Sequence, residues 1–216
     1  SSDLDIPGIA GHLLAASVMS APAALVIAKI IYPETEISET MGDIKIDIEK
    51  TSSNAMEALG NGATDGLKLA ANVAAMLVAF ISIVAMVNYL LGFANTSIDQ
   101  LLGLIFQPLA WTMGVPWEES AMMGTLMGKK IAFTELIAYG DLKVIMASGQ
   151  ISERTAIIAS YALCGFANFG SIGIQLGGIG GMAPERKKDL AKLVTKAMVG
   201  GALASWLTAT VAGILI

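Results

Sequence analysis

Charge is what this sequence has least of. Only 14% of its 216 residues are Asp, Glu, Lys or Arg, against 55% hydrophobic. A soluble domain carries roughly 25% charged residues, so an ordinary water-soluble fold is excluded and a chain embedded in lipid is indicated. Basic clusters interleaved with aromatics are missing as well, and the net charge is -5. Nucleic acid therefore has no electrostatic footprint here. The single cysteine, Cys164, excludes an internal disulfide framework and a cysteine metal site, and reads as a small buried apolar residue. Histidine is equally scarce. His12 stands near the start of an apolar run, where solvation at the membrane interface is the plainer reading than proton relay. No Ser/His/Asp set, catalytic pair of carboxylates or phosphate loop is present, and GIGGMAPER does not open a helix after a strand as a nucleotide fingerprint requires. The chain is expected not to be an enzyme and to carry no cofactor. Its opening, SSDLDIPG, has neither an initiating Met nor a basic region ahead of an apolar stretch. It is thus not a signal peptide and is expected to be the interior of a longer polypeptide.

Long uncharged runs fill the rest. A spanning helix needs about 20 mostly apolar residues, and four runs offer or approach that: Ile6 to Ala28, Leu69 to Ile98, Thr155 to Pro184 and Ala197 to Ile216. The middle two are too long for a straight crossing and must tilt, project beyond the lipid or break. Pro33 to Lys68 is rich in Asp and Glu and reads as a solvated loop. SSNAMEAL near its end is an N-cap followed by helix formers, predicting helix from about Ser53. Gln100 to Trp117 is apolar but interrupted by Pro108, Gly114 and Pro116. Ser120 to Gly128 and Val144 to Ser152 are too short to cross. They predict an interfacial helix followed by a re-entrant hairpin. Trp111, Trp117 and Tyr139 flank these pieces and read as interfacial anchors. Arg186, Lys187, Lys188, Lys192 and Lys196 place the loop before the last span in the cytoplasm and the C-terminus outside.

Two places carry polar chemistry at membrane depth. The first is GFANFGSIGIQLGGIGG, Gly165 to Gly181. Each glycine weakens a helix by roughly 1 kcal/mol relative to Ala, and freed backbone groups survive in lipid only where they line a cavity or are covered by protein. A break after Gly165 would let Phe166, Asn168 and Ser171 converge on a ligand, making a discontinuous helix with a polar site. Tight helix packing through small residues explains the same stretch equally well. For Gly177 to Gly181, packing or a turn is the better explanation. The second place is Glu135 in AFTELIAYG. An intramembrane carboxylate costs on the order of 3 kcal/mol and is a functional candidate by default. Lys129 and Lys130 are not spaced to face it on a regular helix. At a hairpin tip it would face the protein interior, where an ionised carboxylate accepts hydrogen bonds from two sugar hydroxyls and an Asn complements them. Glu135 in interfacial water is the competing reading.

At these residues the sequence resembles the concentrative nucleoside transporter family. ASVMSAPAAL with YPETE, LLGLIFQPLAWTMGVPW and ALCGFANFGSIGIQLGGIGGMAPERKKDLAKL are similar, in order, to its C-terminal half. The resemblance implies an ion-coupled homotrimeric importer built from two inverted repeats of hairpins and broken helices. It implies that Glu135 contacts ribose hydroxyls and that Phe166, Asn168 and Ser171 lie near the ribose. It also implies that the hairpin reading the nucleobase and the sodium-binding helix lie upstream, in a missing N-terminal half, so no metal site is expected in this chain.

The expected fold is an all-α integral membrane protein, half of an inverted-repeat transporter. It comprises a transmembrane helix over 1–32, an acidic loop over 33–53, a long scaffold transmembrane helix over 54–97 and an interfacial helix over 98–116. A re-entrant hairpin over 117–150, a broken transmembrane helix over 153–183 and a C-terminal transmembrane helix over 184–216 complete it. The expected function is nucleoside uptake coupled to sodium or protons, in a plasma or bacterial inner membrane, with nucleosides and lipids as partners. A nucleoside-binding receptor or sensor without coupled transport is the alternative, and a purely structural membrane-assembly module a third possibility.

Overall fold

The computed structural model describes Ile6, residues 8–35 and residues 53–216. Most of the acidic loop expected over 33–53, namely residues 36–52, lies outside the described residues. The described chain is helical, without a strand. α1 spans Ile9–Ile31, α2 Ala55–Gly92, α3 Ile98–Thr112, α4 Trp117–Ala132, α5 Glu135–Ala147, α6 Glu153–Leu163, α7 Phe169–Met182 and α8 Lys187–Leu215, with a single 3₁₀ turn at Pro184–Arg186 before α8.

Among the described residues, three helical stretches are long and apolar enough to cross a membrane: Ile9–Ile31, Ala55–Gly92 and Pro184–Leu215. α2 has 38 residues, about 57 Å at 1.5 Å per residue, so it extends well past a hydrocarbon core of about 30 Å. Its start is set by Asn54, whose side chain accepts the Glu57 amide at 2.9 Å, an N-cap that satisfies one of the free amides of the first turn. Val84 is its only buried residue.

The third long run does not form one helix. It divides into α6 and α7, of 11 and 14 residues, neither long enough to cross alone. The glycines after Asn168 do not interrupt α7. Gly170 and Gly173 lie against Leu77, Met76 and Phe80 of α2, and Gly177 against Asn72 and Met76, so small residues at this contact allow close helix approach. The GGIGG end is part of this packed helix.

α4 and α5 form the re-entrant helical hairpin, turning at Phe133 and Thr134. α3 runs through Pro108 and ends before Gly114 and Pro116; it packs more extensively on α4 than any other two helices do on each other. Glycine makes this possible. A Cβ at Gly124 would collide with the Gly103 carbonyl oxygen, and one at Gly128 would sit 2.5 Å from that of Asp99. α8 forms the backbone of the remaining core, in contact with α1, α6 and α7. That core is built largely from small residues, including Ala16, Ala110, Ala156, Ala159, Ala162 and Ala209, with Met123, Met127, Leu142 and Leu163 filling between them.

Candidate functional site

The break between α6 and α7 is made by two residues. Cys164 leaves the helix in an extended conformation, and Gly165 follows at φ 118, a backbone geometry that L-residues with a Cβ rarely adopt. α7 then starts at Asn168, where a capping box forms. The Asn168 Oδ1 accepts the Ser171 amide at 2.8 Å and the Ser171 Oγ accepts the Asn168 amide at 3.3 Å. The Ser171 hydroxyl donates to the Asn168 carbonyl at 2.6 Å. Two donors orphaned by the break are thus paired inside the chain.

This network uses the Asn168 oxygen but not its amide nitrogen. That nitrogen, Nδ2, donates to Glu135 Oε2 at 3.2 Å. The pairing also decides which amide atom is which, because Oδ1 must face the Ser171 amide. Asn168 and Ser171 are buried at 2% and 3% relative exposure, while Glu135 is half-buried. Glu135 is the first residue of α5, whose N-cap, Thr134, accepts the Ile137 amide at 3.4 Å. The contact therefore joins the N-terminal ends of two half-length helices. Both present partial positive charge, which favours an anion between them. The other Glu135 oxygen makes no hydrogen bond among the described residues.

The four residues singled out from the sequence are thus not equivalent. Glu135 and Asn168 touch. Ser171 supports Asn168 from within the cap. Phe166 projects from the break at 74% exposure. The helix ends at Leu163, two residues before the expected break after Gly165, because it stops short of the left-handed glycine.

Other residues fall differently. Tyr139, read as an interfacial anchor, is half-buried and donates its hydroxyl to the Ser160 carbonyl at 2.7 Å. Trp111 and Trp117 are exposed and meet edge to face at 6.3 Å. His12 is not simply solvated: its Nδ1 lies 3.1 Å from the Tyr161 hydroxyl on α6. Lys129 pairs with Asp141 across the hairpin. Lys130 is fully buried beside the break, a placement the sequence did not disclose because its partners lie 32 and 75 residues away.

Comparison with known proteins gives this geometry a family. The model of the Na+ dependent nucleoside transporter C-terminus matches residues 12–213. An uncharacterized transporter of Bacillus subtilis, YutK, is 44% identical over 213 residues, covering 95% of this chain and 52% of YutK. Nucleoside permease NupC of Helicobacter pylori is 39% identical, covering 95% of this chain and 51% of that protein. Among solved structures, a doubly substituted variant of CNTnw in an outward-facing state superposes with a TM-score of 0.83 at 38% identity, over 94% of this chain and 50% of that one. CNTnw in an inward-facing substrate-bound state matches less closely, with a TM-score of 0.72 at 40% identity over the same shares. The chain spans about half the length of the bacterial relatives it matches and about a third of the animal ones. With its match running from residue 12 to residue 213, the chain belongs to the Na+-dependent nucleoside transporter family and corresponds to that family's C-terminal part.

Proposed function

We propose that this chain is the sugar-gripping half of a sodium-coupled nucleoside importer of the cell membrane. The observation that carries the reading is the 3.2 Å contact between Asn168 and Glu135, set at the ends of a broken helix and a re-entrant hairpin. Transporters commonly bind substrate where discontinuous helices bring half-helix ends together near the bilayer midplane. A carboxylate accepts two hydrogen bonds from neighbouring ribose hydroxyls, and an amide nitrogen donates to a ribose oxygen. Substrate would thus replace the Asn168–Glu135 bond with bonds of its own. Ser171 completes the polar shell by fixing Asn168, and the exposed ring of Phe166 packs on the sugar.

Sodium enters the reading as a co-substrate, supported by the family's description; its site is assigned to the N-terminal half. Transport is alternating access, the hairpin with α6 and α7 moving against a homotrimeric scaffold that includes α2. The TM-scores of 0.83 with an outward-facing structure and 0.81 with the intermediate 3 state, against 0.72 with the inward-facing one, support assigning the described arrangement to the outward side of the cycle. The basic residues Arg186, Lys187 and Lys188 support a cytoplasmic start for α8.

The test is uptake by the full-length protein in liposomes under a sodium gradient. Glu135→Gln is expected to raise the KM for uridine by about a hundredfold, the loss of two charge-assisted hydrogen bonds, with protein level unchanged. An unaltered KM would remove Glu135 from the site.

A further inference from the structure

One buried charge has no part in the sugar contact. Lys130 is the largest fully buried side chain of the described residues, at 0% exposure. Its Nζ donates to the Ala162 carbonyl at 2.9 Å and to Ser205 Oγ on α8 at 2.8 Å. The Ser205 hydroxyl in turn donates to the Ala202 carbonyl at 2.9 Å. Among the described residues the ion pairs are Lys29–Glu34, Lys68–Asp65, Lys129–Asp141 and Arg186–Asp189. Lys130 is in none of them. A buried ammonium matched only by neutral oxygens is costly and needs a source of negative potential.

The end of α6 supplies that potential together with the Glu135 carboxylate on the same hairpin. The helix stops at Leu163, so its last carbonyls lose the amides one turn further on and carry the negative end of the helix dipole. The hairpin answers both sides of this deficit. Lys130, on α4, takes the Ala162 carbonyl, and Tyr139, on α5, donates to the Ser160 carbonyl at 2.7 Å. In transporters built on discontinuous helices, half-helix C-terminal ends and unwound carbonyls are where coupling cations are held. Here a covalently tethered ammonium already stands at such an end.

We propose that Lys130 is a positioning residue that takes the place of a bound cation at the broken end of α6, locking the hairpin to α6 and α8 so that Glu135 meets Asn168. The inference rests on the sugar-site reading above. It assigns this half a built-in cation where a transporter would otherwise draw one from solution.

The experiment uses the full-length transporter in liposomes, with Lys130→Ala, Lys130→Arg and Glu135→Gln in parallel. Lys130→Ala should raise the uridine KM by roughly tenfold or more, the effect of losing hydrogen bonds from a charged donor. Ethylammonium in the buffer should recover several-fold of that loss by entering the vacated site, with no effect on wild type. A Lys130→Ala KM within twofold of wild type would overturn the proposal, as would a defect that ethylammonium leaves untouched. Where Lys130→Ala does not assemble, Lys130→Arg decides. It should retain the charge, assemble, and keep the KM within about fivefold of wild type; assembly with complete loss of uridine affinity would count against a cation role. If Glu135→Gln alone leaves the KM unchanged, the sugar-site reading fails. If it raises the KM while Lys130→Ala does not, only the present inference fails.

Discussion

Two stretches of nearly equal length and apolarity meet opposite fates. Leu69 to Ile98 is one uninterrupted helix from Leu69 to Gly92, whereas Thr155 to Pro184 breaks midway into α6 and α7. Glycine abundance does not account for the difference, since Gly170, Gly173, Gly177, Gly178 and Gly180 all lie within an intact α7. The distinction is local. One glycine at φ 118 is followed by an Asn whose side chain caps the next helix, and a hairpin stands by to satisfy the carbonyls of the preceding one. A break inside a membrane is stable when every group it frees has a partner. The apolar run of α2 stays helical as far as Gly92, and where the chain turns before α3 the Asn88 side chain accepts the Ile98 amide at 2.8 Å.

The comparison sharpens at two asparagines. Asn54 and Asn168 both cap helices, accepting amides at 2.9 and 2.8 Å. Only Asn168 also reaches a carboxylate. The largest expected effect is therefore on function: Asn168→Asp keeps the cap but loses the amide donor and sets two carboxylates together. It should weaken uridine affinity by at least about thirtyfold, a larger free-energy loss than the drop in stability of the full-length protein. Equal losses in both would mean that Asn168 is a structural cap alone.

Gly165→Ala attacks the break itself. A side chain at that φ costs about 1–3 kcal/mol, read as a lowered melting temperature of the purified protein; wild-type stability would place the origin of the break elsewhere. Gly124→Ala would force apart α3 and α4, for about 1–3 kcal/mol of overpacking, without the change in ribose selectivity expected at the site. Smallest is Asn54→Ala at the start of α2. Losing that cap costs about 1 kcal/mol, visible in denaturation, and should leave the uridine KM as it is.

Much of this was legible in the sequence because the cues are local. GFANFGS with its following glycines reads equally as a break or as a packing face, and the structure holds both; SSNAMEAL marks the start of α2, and the broken pieces after Trp117 mark a hairpin. What the sequence concealed depends on contacts between distant segments. Helical spacing shows that Lys130 does not face Glu135, but nothing nearby shows that it reaches Ala162 and Ser205. Tyr139 has the composition of an interface anchor, and only the end of α6 gives its hydroxyl an acceptor. His12 resembles a solvated residue until Tyr161 is brought against it. Pro108 interrupts the apolar run in sequence, yet α3, expected over 98–116, continues through it and ends at Thr112.

The central claim is that the contact between Glu135 and Asn168 is replaced by sugar hydroxyls. Its most direct test is calorimetric titration of the full-length protein, wild type and Glu135→Gln, with uridine and with 2′,3′-dideoxyuridine. Wild type should prefer uridine by roughly a hundredfold, two hydrogen bonds to a charged group, and Glu135→Gln should bind both about equally. A variant that kept the full preference for uridine would contradict the account.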